Sequence, residues 1–128
     1  MLYCFQMKKP NLERHARHIM LKEIGGHGQK LIANSTVAII GMGGLGAPCA
    51  LYLAAAGIGR LVLIDDDVVD ISNLQRQIIY QTQDVGIAKT FAAKKALLAL
   101  DDTVEITTHQ IRLTMDKHAK ILADADII

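Results

Sequence analysis

The sequence has 128 residues, of which 51% are hydrophobic, 21% charged and 4% aromatic, and its formal net charge at pH 7 is +1. This composition predicts one globular domain with a substantial core and excludes a disordered chain. The small net charge excludes a general electrostatic attraction to nucleic acid or to an anionic membrane.

Two further protein classes are disfavoured by local sequence. From Thr36 to Ile64 the only charge is Arg60, but glycines and a proline interrupt this stretch, so it contains no apolar helix of about 20 residues that could span a membrane. Cys4 and Cys49 lack metal-binding spacing, and we expect Cys49 to be a small buried helix residue. Without a secretory signal, the expected location is the cytoplasm.

Residues 1–34 are predicted to be a helical segment, and we hypothesise that Met7 is the true start. Asn11 is a suitable N-cap, and the apolar residues that follow recur at helical spacing: Leu12, Ala16, Ile19 and Met20. The basic residues fall mostly off that apolar face, which favours a solvated surface: Arg14, His15, Arg17 and His18. Gly25-Gly26 ends this helix, and a short second helix is predicted over 27–33.

A glycine-rich stretch begins the second predicted unit, residues 35–128. A short apolar run at 37–40 predicts a buried strand. It is followed directly by Gly41, Gly43 and Gly46, which fit the spacing G-x-G-x-x-G, and by an additional glycine at Gly44. A helical pattern then runs from about 45 to 56 and stops at Gly57. A second apolar run at 61–64 ends in Asp65. The order strand, glycine turn, helix, strand and acid predicts a βαβ unit.

This βαβ unit has the parts that a nucleotide site needs. Gly41 allows a tight turn, Gly43 allows phosphate to approach the backbone, and Gly46 allows the helix to pack on the strand. The helix N-terminus presents free N–H groups to phosphate, and Asp65 can accept hydrogen bonds from ribose hydroxyls. The alternative is a purely structural turn. By itself the fingerprint would favour NAD or FAD.

An acidic loop follows the second strand and contains Asp65, Asp66, Asp67 and Asp70. Carboxylates suit Mg²⁺, especially when the ion is shared with phosphates, but an exposed acidic loop at the sheet edge is an equally good interpretation. We expect Asp65 rather than Asp70 to belong to the site.

The segment that follows carries polar side chains at helical spacing. Ser72 is predicted to cap a short helix, which would place Asn73, Arg76 and Gln77 on one face. Arginine makes bidentate phosphate contacts, so the cluster suits a triphosphate better than a dinucleotide. The alternative is an ordinary surface helix.

A longer helix is predicted from Val85 to Leu100, with four core candidates: Ile87, Phe91, Leu97 and Leu98. Lys89 lies near its start, where its ammonium could point at phosphate or remain exposed. A strand is predicted at 104–108, a helix from Thr114 to Ala123, and another buried strand opening at Asp126. Together these elements predict an α/β, Rossmann-like three-layer fold with a mainly parallel sheet, preceded by N-terminal helices.

Four blocks of this sequence, in order, resemble the ThiF/MoeB/HesA family of adenylyltransferases, which are bacterial relatives of ubiquitin-activating enzymes. The blocks are RHARHIMLKEIG, GMGGLGAP, DDDVVDISNLQRQ and DVGIAK, and the likeness extends from about Glu13 to the last residue. The resemblance implies binding of ATP with Mg²⁺ and adenylation of the C-terminal carboxylate of a small ubiquitin-like sulfur-carrier protein. It also implies a homodimer.

The resemblance also assigns roles to individual residues. The phosphate loop would be formed by Gly41, Gly43, Gly44 and Gly46, and Asp65 would hold the ribose. Asp67 of the acidic loop is also a candidate cofactor-binding residue. The triphosphate would be contacted by Asn73, Arg76 and Lys89, and Gln77 completes the motif. Arg17 would reach the nucleotide of the partner subunit. Arg17, Arg76 and Lys89 are therefore the candidate catalytic residues, and no residue of this chain is assigned as a metal ligand.

The sequence also departs from the family pattern. The family's magnesium-binding Asp would come about two residues after Ile128, and paired CxxC motifs, a catalytic-cysteine region and a carrier-gripping segment are also absent from these 128 residues. We therefore expect an incomplete family member that binds nucleotide but adenylates poorly. The alternatives are a degenerate nucleotide-binding or dimerising module, a relative of tRNA-modifying ATP-dependent dehydratases, and an NAD-dependent oxidoreductase domain.

Overall fold

The computed structural model describes residues 8–128, so Met7 and Cys4 lie outside the described part of the chain. The strands are β1 (Thr36–Ile40), β2 (Arg60–Ile64) and β3 (Glu105–His109). The helices are α1 (Ala16–Ile19), α2 (Gly25–Asn34), α3 (Gly46–Ala55), α4 (Lys89–Leu100) and α5 (Met115–Leu122), and two short 3-10 turns lie at Ile71–Asn73 and Thr82–Asp84. Within this part of the chain, no helix has both the length and the apolar character that crossing a bilayer requires.

The three strands form a parallel sheet in the order β1-β2-β3, and Val37 pairs with Leu61, which pairs with Ile106. The predicted strand at Asp126 begins to pair on the other side of β1, where the Ala38 N–H donates to the Ile127 carbonyl at 2.9 Å. Its predicted burial is wrong, because the Ile127 side chain is exposed in this structure.

Helices cover both faces of the sheet, which confirms the three-layer α/β prediction. On one face, α3 and α4 pack closely through small residues that are almost fully buried: Ala47, Ala50, Ala54, Ala92 and Ala93. On the other face, Leu122 of α5 packs with Ala38, Val62 and Ile64. Because both faces are covered, the strands can be continuous apolar runs.

Three helix or pre-helix residues predicted to be buried face solvent instead. Phe91 is 62% exposed, because it lies on the side of α4 opposite Ala92, Ala93 and Leu97. Ile87 precedes the helix, since α4 begins at Lys89 rather than at Val85. Cys49 is exposed on α3 for the same reason as Phe91: it lies off the alanine face.

The residues before β1 are also placed differently from the prediction. α1 is only four residues long, and Gly25 and Gly26 begin α2 instead of separating two helices. Asn11 does not start a helix; its side-chain oxygen accepts a hydrogen bond from the Arg14 N–H at 3.0 Å and closes a turn. The predicted division of the chain at residue 34 stays a prediction.

His15 is buried, so the prediction that it lies on a solvated face is wrong. Its Nδ1 lies 3.0 Å from the Asn11 carbonyl, and its ring stacks on His18. His18 contacts Gln29 at 3.1 Å, and Gln29 donates to the Ala56 carbonyl at the end of α3. This partly buried polar chain attaches the N-terminal segment to the sheet domain.

Asp101, at the end of α4, provides a second attachment for the N-terminal segment. Arg14 donates to the Leu100 carbonyl at 3.1 Å, and its Nε lies 3.7 Å from the Asp101 carboxylate. Burial alone would raise the pKa of Asp101, but hydrogen bonds from Thr103 and the charges of Arg14 and His15 outweigh burial and lower it. Asp101 is therefore held as a carboxylate that faces the basic segment.

Gly59, just before β2, offers a test of how closely the chain packs against the end of α2. An added Cβ would lie 2.1 Å from the Ala33 carbonyl oxygen, so we expect Gly59→Ala to lower the free energy of unfolding by about 1–3 kcal/mol in urea titrations. The matched control is Gly26→Ala in α2, where no atom lies within 4 Å of the added Cβ. It should be neutral or stabilising by up to about 1 kcal/mol. Equal losses from the two substitutions would contradict the prediction.

Candidate functional site

The glycine loop joins the carboxyl end of β1 to the start of α3. Gly41 has φ of +93°, a backbone conformation that glycine adopts without strain, and its N–H donates to the Ile64 carbonyl at 2.8 Å. A Cβ at Gly46 would lie 1.8 Å from the Gly41 carbonyl oxygen, so no larger residue fits there without a shift of the backbone. The tight turn and close helix packing predicted for these two glycines are both present.

Asp65, at the carboxyl end of β2, binds the glycine loop directly. Its Oδ2 accepts a hydrogen bond from the Met42 N–H at 2.6 Å, and its Oδ1 accepts one from the Asp67 N–H at 2.8 Å. The parallel pairing of β1 and β2 brings the two carboxyl ends together. Each carboxylate oxygen keeps acceptor capacity that a ribose hydroxyl could use.

Arg76 and Gln77 lie beside this loop. A Cβ built on Gly44 would be 3.9 Å from Arg76 Nε, and one built on Gly43 would be 3.6 Å from Gln77 Nε2. Gln77 is only 3% exposed, and its Oε1 has no hydrogen-bond partner within the described part of the chain. The structure therefore brings a guanidinium and an unsatisfied buried amide to the glycine loop.

The turn that carries these side chains is capped by Asp70, so the prediction that Ser72 caps it is wrong. Asp70 Oδ1 accepts hydrogen bonds from the Ser72 N–H at 2.8 Å and from the Ser72 hydroxyl at 2.6 Å, and these bonds lower the pKa of Asp70. Asn73 Oδ1 accepts from the Asp70 N–H at 3.1 Å, which completes the cap. Asp70 and Asn73 thus shape the turn before Arg76.

Lys89, the first residue of α4, is buried against the acidic loop. Its side chain is 7% exposed, and its Nζ lies 3.0 Å from Asp67 Oδ2, which belongs to a 68% exposed side chain. The carboxylates of Asp65, Asp66 and Asp67 offer oxygen atoms within 4.8 Å of one another. The alternative of an exposed Lys89 is wrong, and one positive charge is fixed within the acidic cluster.

Arg17 is a predicted site residue that the structure leaves apart from the glycine loop. It is exposed on α1, and its neighbours Arg14 and His15 contact the chain at Leu100 and beside Gly57, where α4 and α3 end. Both helices run antiparallel to the strands, so this is the end of the sheet opposite the glycine loop. Within a single chain, Arg17 therefore lies far from Arg76.

Two residues of the site were missed by sequence reasoning. Tyr80 donates its hydroxyl hydrogen to the Met42 carbonyl at 2.6 Å, while the Met42 N–H is bound by Asp65. Burial and the nearby Asp65 charge raise the pKa of Tyr80, so its hydroxyl stays protonated. No periodicity or motif links residues 42 and 80, and only the fold shows their contact.

The assembled site suits phosphate chemistry. Backbone N–H groups of a glycine loop, Arg76 and Lys89 supply positive charge, and the Asp65 carboxylate supplies an acceptor for hydroxyl groups. Such groups act by stabilising charge and by positioning the reacting atoms, and these two effects need no covalent nucleophile. The arrangement can therefore hold a nucleotide by its phosphates and sugar.

Comparisons with known proteins find relatives of both the sequence and the fold. The model of the ThiF family matches residues 15–128. The chain is 43% identical over 122 residues to the sulfur carrier protein ThiS adenylyltransferase of Escherichia coli K12, covering 95% of this chain and 49% of that enzyme. The chain thus spans about half of the length of this curated relative.

Two solved structures are similar to this fold over most of the chain. PaaA superposes with a TM-score of 0.85 at 35% identity, covering 99% of this chain and 43% of PaaA. The E. coli tRNA N6-threonylcarbamoyladenosine dehydratase TcdA, solved in complex with ATP, superposes with a TM-score of 0.81 at 28% identity, covering 88% of this chain and 45% of TcdA.

The two residues of the Lys89–Asp67 pair are predicted to contribute unequally to the free energy of unfolding. We expect Asp67→Ala to lower the free energy of unfolding by about 1–3 kcal/mol, because it leaves a buried ammonium without its partner. Lys89→Met should cost less, since the exposed Asp67 carboxylate is hydrated by water. Asp66→Ala is the matched control at an exposed neighbouring carboxylate. Chemical denaturation checks the order, and a loss from Asp66→Ala equal to that from Asp67→Ala would refute it.

Proposed function

This chain belongs to the ThiF family, and we propose that it binds ATP with Mg²⁺ and serves in adenylation of the C-terminal carboxylate of a small ubiquitin-like sulfur-carrier protein. The observation that carries the proposal is the meeting of Arg76 and Gln77 with the glycine loop, whose Met42 N–H is bound by Asp65. A relative that is 43% identical is named as the adenylyltransferase of the carrier ThiS.

The proposed roles follow from the chemistry of each group. The N–H groups of the loop at Gly43 and Gly44 would bind phosphate oxygens, and Asp65 would bind the ribose hydroxyls. Arg76 would contact the triphosphate with its planar guanidinium, and Lys89 with its ammonium. Gln77 lies at the same loop, and its Nε2, which is 3.6 Å from a Cβ built on Gly43, would donate to a phosphate oxygen.

We propose that Mg²⁺ reaches the site together with the phosphates. The ion prefers oxygen ligands and usually keeps several waters while it is shared between a carboxylate and phosphate oxygens. The acidic cluster of Asp65, Asp66 and Asp67 supplies oxygen atoms of this kind. Lys89 beside Asp67 limits the net negative charge of the cluster.

In the proposed reaction, a carboxylate oxygen of the carrier forms a bond to the α-phosphorus of ATP. The bond from that phosphorus to the oxygen bridging the α- and β-phosphates breaks, and pyrophosphate leaves with the electron pair. Two anions must approach each other, so Arg76 and Lys89 would act by cancelling charge and fixing the in-line geometry. The products are the carrier adenylate and pyrophosphate.

Arg17 fits this reaction only in a homodimer. Its own segment is attached at the end of the sheet opposite the glycine loop, through contacts of Arg14 and His15. We therefore propose that Arg17 reaches the nucleotide of a second copy of the chain in a cytoplasmic homodimer. This role needs a partner subunit, since the distance within one chain is too large for contact.

A second candidate substrate is a tRNA. The structural neighbour TcdA is named as a tRNA N6-threonylcarbamoyladenosine dehydratase and was solved with ATP. The same phosphate chemistry would then activate a carboxylate on a modified adenosine. The net charge of +1 does not favour binding of a polyanion of that size, so the carrier protein remains the first candidate.

Nucleotide choice is the first test of the proposal. In calorimetric titrations of the purified chain, we expect saturable binding of ATP with Mg²⁺ and none of NAD, because Arg76 and Lys89 suit a triphosphate. Binding of NAD alone would overturn the proposed adenylation, and binding of neither would overturn nucleotide binding by this chain.

The contribution of Arg76 is the second test. Arg76→Ala should weaken ATP binding by about 1–3 kcal/mol, because a charge-assisted contact with phosphate is lost. The matched control is Arg60→Ala, which makes the same charge change at the opposite end of the sheet, where Arg60 lies 3.5 Å from Glu105. If both variants bind ATP equally well, Arg76 is a surface residue without a role in binding.

A further inference from the structure

Met42, at the centre of the glycine loop, is held from two directions. Its N–H donates to Asp65 Oδ2 at 2.6 Å, and its carbonyl accepts the Tyr80 hydroxyl at 2.6 Å. Its side chain is fully buried in the core. The peptide groups on either side of Met42 therefore have little freedom, although glycines occupy positions 41, 43 and 44.

Tyr80 is suited to a fixed contact of this kind. It is 5% exposed and belongs to the same buried cluster as Met42, Val69 and Ile79. Burial and the Asp65 charge raise the pKa of its hydroxyl well above the ordinary value, so it remains a donor at every physiological pH. The ring supplies the packing, and the hydroxyl alone supplies the contact with the loop.

The contact of Tyr80 with Met42 connects two segments of the proposed phosphate site. Tyr80 follows Arg76 by four residues and Gln77 by three, and its N–H donates to the Gln77 carbonyl at 3.2 Å. The hydroxyl of Tyr80 thus joins the segment that carries Arg76 and Gln77 to the loop that carries Gly43 and Gly44. Both segments contribute to the proposed phosphate site, and they lie more than 30 residues apart in sequence.

We propose that Tyr80 is a positioning residue, which fixes the Met42 carbonyl and so keeps the glycine loop in register with Arg76 and Gln77 for phosphate binding. The proposal rests on the proposed function, because its consequence is measured as ATP affinity. Its physical basis is preorganisation: a glycine-rich loop has many conformations, and ordering it before binding removes that entropic cost from the binding step.

The test compares Tyr80→Phe with Tyr52→Phe in the whole chain. Both variants lose one hydroxyl and keep the ring, but Tyr52 is 79% exposed on α3 and serves as the control. The first measurement is the rate of amide hydrogen exchange in the nucleotide-free protein at three residues: Met42, Ala47 and Leu63. The Ala47 N–H donates to the Gly43 carbonyl at 3.0 Å, and Leu63 is a buried strand residue that serves as the internal reference. The second measurement is the affinity for ATP in the presence of Mg²⁺, determined by calorimetric titration.

For Tyr80→Phe we expect exchange at Met42 and Ala47 to become at least about fivefold faster, with Leu63 unchanged. ATP affinity should fall by about 3- to 10-fold, which corresponds to the loss of one neutral hydrogen bond. Tyr52→Phe should match the wild type in both measurements. A merely structural role would instead accelerate exchange at Leu63 by the same factor as at Met42.

Three results would overturn the proposal. The first is unchanged exchange at Met42 and Ala47 in Tyr80→Phe, the second is equal acceleration throughout the sheet, and the third is a looser loop with wild-type ATP affinity. Failure of the proposed function is distinguishable, because wild type and Tyr52→Phe would then fail to bind ATP together with Tyr80→Phe. That result would also remove the positioning role.

Discussion

The close approach of Gly46 to the Gly41 carbonyl is the constraint on which the rest of the site depends. An added Cβ would lie 1.8 Å from that oxygen, so helix α3 can begin at this place only if residue 46 is glycine. The approach sets the start of α3 against the end of β1. A loop of another composition would move the helix away from the sheet and disrupt the proposed phosphate site.

Around this loop, groups distant in sequence are joined by a few buried contacts. Asp65 and Tyr80 hold the two sides of Met42, and Lys89 reaches back to Asp67. In each case a side chain at or after the end of β2 makes a hydrogen bond or an ion pair with the glycine loop or the acidic loop. The site is therefore a product of packing between segments that lie far apart in the sequence.

The sheet and its helices could be read from sequence because their signals are local. Apolar runs gave the strands, and glycines marked the turn and the end of α3, so the order of elements was predicted correctly. The directions of single side chains were not predicted: Phe91 and Cys49 are exposed, and His15 is buried. Apolarity and charge did not predict these directions, because each depends on the surfaces that pack against the helix.

For this chain, the sequence alone determined the βαβ order, the residues of the glycine loop and the resemblance to the ThiF family, because each resides in spacing along the chain. Only the tertiary structure decided that Lys89 is buried against Asp67 and that Tyr80 donates to the Met42 carbonyl. Such contacts join residues as far as 38 positions apart. Folding selects them through burial and hydrogen bonding, which leave no periodic trace in the sequence.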